Sequence, residues 1–412
     1  MKINFLDKIK FEINKRDSYQ YFYQYWHYKN NLDGSKLQEA LKQIYSHYPK
    51  LNKKLKIIDD DYMYNDHKFS SFYHELKPSK ESMDESIQHF LSMQVNEYIS
   101  SSNEAPLILV HITTKSQSTL LFLHNHIYYD GHSALALTEQ LWNIIDEKQV
   151  ESPPYDVSDA EILDSLSHKT ILKKVNFPFC LAKHLIRSMK FSKKEKSIEK
   201  IYTKASTKVN YHSFYIRREK LGAESQDYSN NTKLVALISE QLIEMKGHLT
   251  AHQCIISIPQ NIRNKKLDLF GNAVNSISIE VDKHMNLSKK METIHQTIHK
   301  YKSPNYIKAS YLLSTILTKN KKDKELLSPF VKLSKKHHCY ISNHGKSDKL
   351  LQNPDLIRNG AFNYPLQEYY GLIFTLSYTK EHFCIGIASS DQIFIRKELH
   401  DFEIGIKNKV TQ

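Results

Sequence analysis

Thr119–Trp142 reads TLLFLHNHIYYDGHSALALTEQLW. Thr119–Leu123 is a β-rich apolar run that delivers His124, Asn125 and His126 to its end. A short turn through Gly131 follows, and Ser133 stands where an N-cap belongs. Beyond it, Leu137, Leu141, Ile144 and Ile145 form one apolar stripe of a helix. Strand, turn and helix in so short a span is a building unit of α/β architecture.

Within that turn lies H-x-x-x-D-G, at His126, Asp130 and Gly131. A histidine, with an ordinary pKa of about 6.5, is the side chain best matched to accept a proton at neutral pH. A carboxylate four positions on can brace the loop without being the imidazole's partner. Gly131 lets the chain turn sharply into the helix, where a side chain could clash. The helix start beyond it offers unpaired N–H groups and positive potential.

Working outward, the same alternation recurs. Leu37, Ala40, Leu41, Ile44 and Tyr48 repeat at helical spacing, and Pro49 stops that helix. Leu107–Ile112 is a strand separated from Thr119–Leu123 by the polar KSQS turn. Further on, Lys233–Met245 has helical spacing, and Cys254–Ile258 and Ser276–Val281 have strand character. Leu372–Tyr378 and Phe383–Ala388 form a hairpin pattern. The adjacent Pro153 and Pro154 mark a boundary. We divide the chain into an N-terminal half, 1–150, a basic crossover, 151–205, and a C-terminal half, 206–412.

Composition agrees with a folded chain of two domains. Of 412 residues 40% are hydrophobic and 25% charged, enough to bury a large core and too apolar for a disordered chain. Ten glycines and eleven prolines exclude collagen-like and linker-rich architectures. Cys180, Cys254, Cys339 and Cys384 contain no CxxC pair and read as reduced thiols. The first residues lack the pattern of a signal peptide, and no run of 18 apolar residues occurs, so the expectation is a cytoplasmic protein.

The net charge of +13 is concentrated in Leu181–Lys204 and Lys319–Lys349. Such stripes suit phosphates, acidic proteins or anionic lipid, and equally a plain solvated face. Nucleic acid is not expected, because no recognition motif accompanies the charge. Asn176–Lys196 has Leu181, Leu185 and Met189 on one face and basic residues around the rest. That pattern fits a crossover helix or a peripheral membrane contact.

HNHIYYDG resembles the HHxxxDG signature of chloramphenicol acetyltransferase, nonribosomal-peptide condensation domains and related alcohol acyltransferases. Leu32–Ile57 is similar to that superfamily's first helix and following strand. SIPQNIRNKKLDLFGN, Ser257–Asn272, resembles its strand, arginine and later GN, and YISNHGKSD, Tyr340–Asp348, resembles the SNxG loop of stand-alone members. The resemblance implies an α/β fold of two chloramphenicol-acetyltransferase-like sandwich halves, mixed sheets flanked by helices, with a tunnel between them. It implies His126 as general base, with Asp130 and Gly131 completing the motif and Asp130 in a structural salt bridge with Arg263. Asn125, Tyr129, Ser342 and Asn343 would contact substrate. The donor would be an acyl-coenzyme A or an acyl group on an acidic carrier protein, and the acceptor a small alcohol or amine. No metal or redox cofactor is implied.

Three departures qualify the resemblance. Asn125 stands where the family has its first histidine. No DFGWG occurs, so the plant-type BAHD pattern is absent. Tyr128 and Tyr129 either narrow the tunnel or pack beneath the turn. Two other functions remain open on the same fold: amide formation between carrier-bound substrates, and non-catalytic binding of a carrier protein or small molecule. Other motifs fail. Asp130 lies too far from His126 for the HxHxDH metal pattern, and Gly345–Ser347 lacks the first glycine of a phosphate loop. His337, His338 and Cys339 lack a second ligand pair and read as structural.

Overall fold

Tyr21–Tyr28, YFYQYWHY, is buried at all eight positions, which only a strand covered on both faces and both edges achieves. It is the second strand of the first sheet. In chain-order numbering that sheet runs β11 (Leu356–Asn363), β1 (Tyr21–Tyr28), β6 (Ser118–Asn125), β5 (Leu107–Thr113), β4 (Tyr73–Leu76). All its pairings are antiparallel except β4 with β5. The second sheet runs β7 (Val209–Arg217), β13 (His382–Ser390), β12 (Leu372–Tyr378), β10 (Cys339–Asn343), β8 (Gln253–Asn261), β9 (Val274–Asp282), with β10 parallel to both neighbours. β2 (Lys53–Ile58) and β3 (Asp61–Asp66) form a separate hairpin. The computed structural model describes residues 3–17, 20–59, 61–69, 72–78, 82–148, 159, 162–163, 208–222, 228–246, 253–263, 270–318, 337–344, 350, 353–363 and 371–411.

Helices pack on these sheets where their apolar stripes dictate. Gly34–His47 (α2 in chain order) buries Leu37, Ala40, Leu41 and Ile44, is capped by Asp33, and gives way at Pro49 to a short 3-10 turn. Helix α5, Gly131–Ile145, lies beside it and buries Ala134, Leu137 and Leu141. In the other lobe, Asn230–Met245, Leu287–Tyr301 and Arg396–Thr411 contribute Leu234, Ile238, Ile294, Phe402 and Ile406 to a second core. The resulting mixed α/β architecture of two lobes is the one expected.

The lobes do not follow the linear division of the chain. β11 comes from the C-terminal half, yet pairs along its length with β1 of the first sheet. Val209, Tyr211, Phe270, Cys384 and Ala388, all from beyond residue 206, sit in the first core. Two glycines permit the close approach. A Cβ on Gly386 would lie 2.1 Å from the Ala361 carbonyl oxygen, and one on Gly360 would lie 2.2 Å from the Tyr25 ring.

Most of 151–205 lies outside the described residues, as do Pro153, Pro154, the amphipathic stretch 176–196, and most of the basic stretch 319–349. Asp159 is described, and its carboxylate accepts bonds from the Phe5 N–H (2.9 Å) and the Tyr311 hydroxyl (2.6 Å). It thus joins the first helix, Phe5–Asp17, to the helix Pro304–Thr318 of the opposite half. No described helix is long and apolar enough to cross a membrane.

Candidate active site

Strand β6 ends at Asn125, and the chain bends at once into the turn before α5. Every residue from Ser118 to Asp130 is buried except His126, which stays partly open. Its backbone N–H donates to Gln20 O at 2.6 Å, so β1 fixes where the ring begins.

The ring's own bonds select its tautomer. His126 Nδ1 lies 3.0 Å from Tyr129 O, which can only accept, and 3.2 Å from Asn272 Oδ1. The Asn272 amide nitrogen meanwhile donates to His126 O, Ile127 O and Asp7 Oδ1 at 3.0–3.1 Å, which fixes Asn272 Oδ1 as an acceptor too. Nδ1 therefore carries the hydrogen, and Nε2 keeps its lone pair. Burial, and then the positive charge of Lys10, lower the His126 pKa to about 3, against the opposing pull of Asp130. The imidazole is neutral throughout the physiological range.

Asp130 is not presented to the opening. Its two oxygens take a forked pair from Arg263, Nη1 to Oδ2 at 2.8 Å and Nη2 to Oδ1 at 3.0 Å, with both side chains buried. It also accepts from the Ser133 and Ala273 N–H groups. Burial alone would raise its pKa, but the Arg263 charge and these bonds hold it below the ordinary carboxylate value. Arg263 reaches on to Ser133 Oγ (3.0 Å) and Gly271 O (2.8 Å). Gly271 has φ of +137°, a conformation that favours glycine, so the GN pair is a built corner.

Two local expectations need correction. The N-cap of α5 is Asp130, whose side chain accepts from the Ser133 N–H. Ser133 sits inside the first turn because both residue types cap well and the aspartate comes first. Gly131 does not adopt positive φ, so no turn requires it. A Cβ there would stand 3.4 Å from the His344 ring, an ordinary contact distance. The Gly131 N–H has no hydrogen-bond partner among the described residues, as a first-turn amide can lack one, and the residue is partly open.

Asn125 and Tyr129, expected to contact substrate, are both buried with their polar atoms bonded within the protein. Asn125 is buried, its amide donating to Glu104 O (3.2 Å) and Tyr21 Oη (3.4 Å) and its oxygen accepting from Ile127 N–H. Tyr129 is fully buried, donates to Pro106 O at 2.8 Å, and meets His124 Nδ1 at 3.1 Å. Tyr128 is buried as well, so both rings pack beneath the turn.

Ser342, partly open, and Asn343, exposed, end strand β10, and Asn343 bonds the Asn231 side chain at 3.1 Å. The next residue, His344, brings that strand to the motif by its approach to Gly131. Its ring also meets Gln24 Nε2 and Asn363 Oδ1, each at 3.2 Å, and burial lowers its pKa to about 4.

Five contributors escaped the sequence reading. Asn272 stands in the quoted GN, so its signal was present. His344 lies within the quoted SNHG, where the serine and asparagine drew attention. Asn4, just before the first helix, and Asp7, within it, bond Asn272 and carry no motif at all. Lys10 lies one turn beyond Asp7, half-buried, with its pKa lowered to about 8 by burial against the pull of Asp130.

No family model matches this chain, and no curated protein matches it. Solved structures do. A mutant starter condensation domain of rhizomide synthetase RzmA, in complex with C8-CoA and Leu-SNAC, is similar at a TM-score of 0.67 and 10% identity, over 100% of this chain and 93% of that one. The epimerization domain from the third module of tyrocidine synthetase B is similar at 0.59 and 12% identity, over 97% and 94%. The chain has the fold of the condensation domains.

Proposed function

We propose that this chain is an acyltransferase of the condensation type, which moves an acyl group from a coenzyme A or carrier-protein thioester to a hydroxyl or amine. One observation carries the reading: His126 alone in its stretch is open, with Nδ1 committed to Tyr129 O and Asn272 and Nε2 left as a proton acceptor. The solved relative with C8-CoA and Leu-SNAC bound supports a thioester substrate for this fold.

In the reaction, the acceptor's oxygen or nitrogen attacks the thioester carbonyl while its proton passes to His126 Nε2. The tetrahedral intermediate collapses with loss of the carbon–sulfur bond, and the imidazolium returns its proton to the departing thiolate. A ring held so far toward its neutral form gives that proton up readily. The oxyanion needs a preorganised donor, and the Gly131 N–H at the start of α5, without a partner among the described residues, is the candidate. Asp130 and Arg263 act through the loop, holding both motif and helix start against the opposite half.

The test is thiol release from acyl-coenzyme A donors of graded length, with and without pooled alcohols and amines. Acceptor-dependent release that falls about 10²- to 10⁴-fold in His126→Ala is expected of a general base. Release unaffected by the substitution would overturn His126 as base. No release from coenzyme A or from carrier-protein thioesters would overturn the transferase.

A further inference from the structure

The C-terminal helix, Arg396–Thr411, lies along β7, the edge strand of the second sheet. Where they meet, three metal-ligating side chains converge away from the candidate active site. His212 of β7 points Nε2 at Glu403 Oε2 of the helix, 2.8 Å away. His400, one helical turn before Glu403, brings Nδ1 to 3.5 Å from the same oxygen. The three donor atoms all lie within 4.8 Å of one another.

We propose that His212, His400 and Glu403 form a site for a divalent cation of the zinc class, clamping the C-terminal helix to the sheet edge. Two imidazoles and a carboxylate are a donor set suited to zinc. In a tetrahedral zinc site, with bonds near 2.0–2.1 Å, neighbouring donor atoms stand about 3.3 Å apart. Moving Glu403 Oε2 and His212 Nε2 apart by about half an ångström opens room for the ion, since the cation replaces the shared hydrogen. His400 has freedom to close the remaining gap, with 65% of its side chain exposed. The fourth position would be filled by water.

Lys407 bonds the other Glu403 oxygen, Oε1, and so orients the carboxylate without occupying the donor face.

The experiment uses the untagged full chain, stripped with chelator and titrated with zinc chloride by calorimetry, with thermal unfolding in parallel. One equivalent should bind, and zinc should raise the unfolding temperature. His400→Ala, on an exposed side chain, and Glu403→Gln should each weaken binding at least tenfold and abolish the thermal shift. The chain has a second histidine pair, His295 and His299, with ring centroids 5.0 Å apart. His295→Ala/His299→Ala should leave binding intact. Binding unchanged in His400→Ala, lost in the His295/His299 variant, or absent at stoichiometric zinc would each overturn the site.

Discussion

At His126 the decisive atom is the nitrogen left over once the protein has claimed the other. Asn272→Ala removes one acceptor of Nδ1–H and three bonds that hold the turn. We expect kcat to fall about 10²-fold, the scale of a small misplacement of a reacting group, with KM little changed. A base with pKa near 3 stays deprotonated well below the ordinary histidine range. The acid limb of kcat/KM should therefore lie below pH 5, and a limb at 6.5 would contradict this environment. Arg263→Ala strands a buried carboxylate and should destabilise the fold by about 3–5 kcal/mol, measured by urea unfolding. That His126, Asp130 and Gly131 lie together could be read from the sequence because H-x-x-x-D-G is local. The burial of Asn125 and Tyr129 could not, because residue type alone does not say which way a side chain points out of a turn.

At the scale of elements, helices and strands with a clear period were read almost to their ends. Leu37–Tyr48 became Gly34–His47, and the Leu372–Ala388 pattern became the antiparallel pair β12 and β13. Strand β11 escaped, because IRNGAFN alternates weakly and nothing local says which sheet it joins. Its glycine and those it meets carry the evidence. Gly386→Ala would drive a Cβ into the Ala361 carbonyl, a backbone atom with nowhere to go. The expected cost is about 3 kcal/mol, the upper end for overpacking, checked by a shift in denaturant midpoint. Gly131→Ala meets only ordinary contact at 3.4 Å from the His344 ring, so stability should hold while turnover drops.

For the whole molecule, histidines held neutral by their surroundings set the response to acid. Desolvation lowers His111, His124, His126 and His344 below the unfolded value of 6.5. The unfolded chain then binds more protons than the native one as pH falls below 6.5, so stability is full above that value. It should be lost progressively down to about pH 4 for His344 and about pH 3 for His126. Each contributes at most ~1.4 kcal/mol per pH unit. Unfolding temperature should decline from pH 6.5 downward, ahead of any carboxylate effect; a flat profile to pH 4.5 would refute it. The strand that β11 lends to β1 has a further consequence, for descent. Recombination that swapped one lobe for a homologue's would have to re-match a row of backbone hydrogen bonds, two glycines and the Asp130–Arg263 fork at once. A shuffled library cut anywhere between residues 150 and 206 should therefore yield few folded chimaeras.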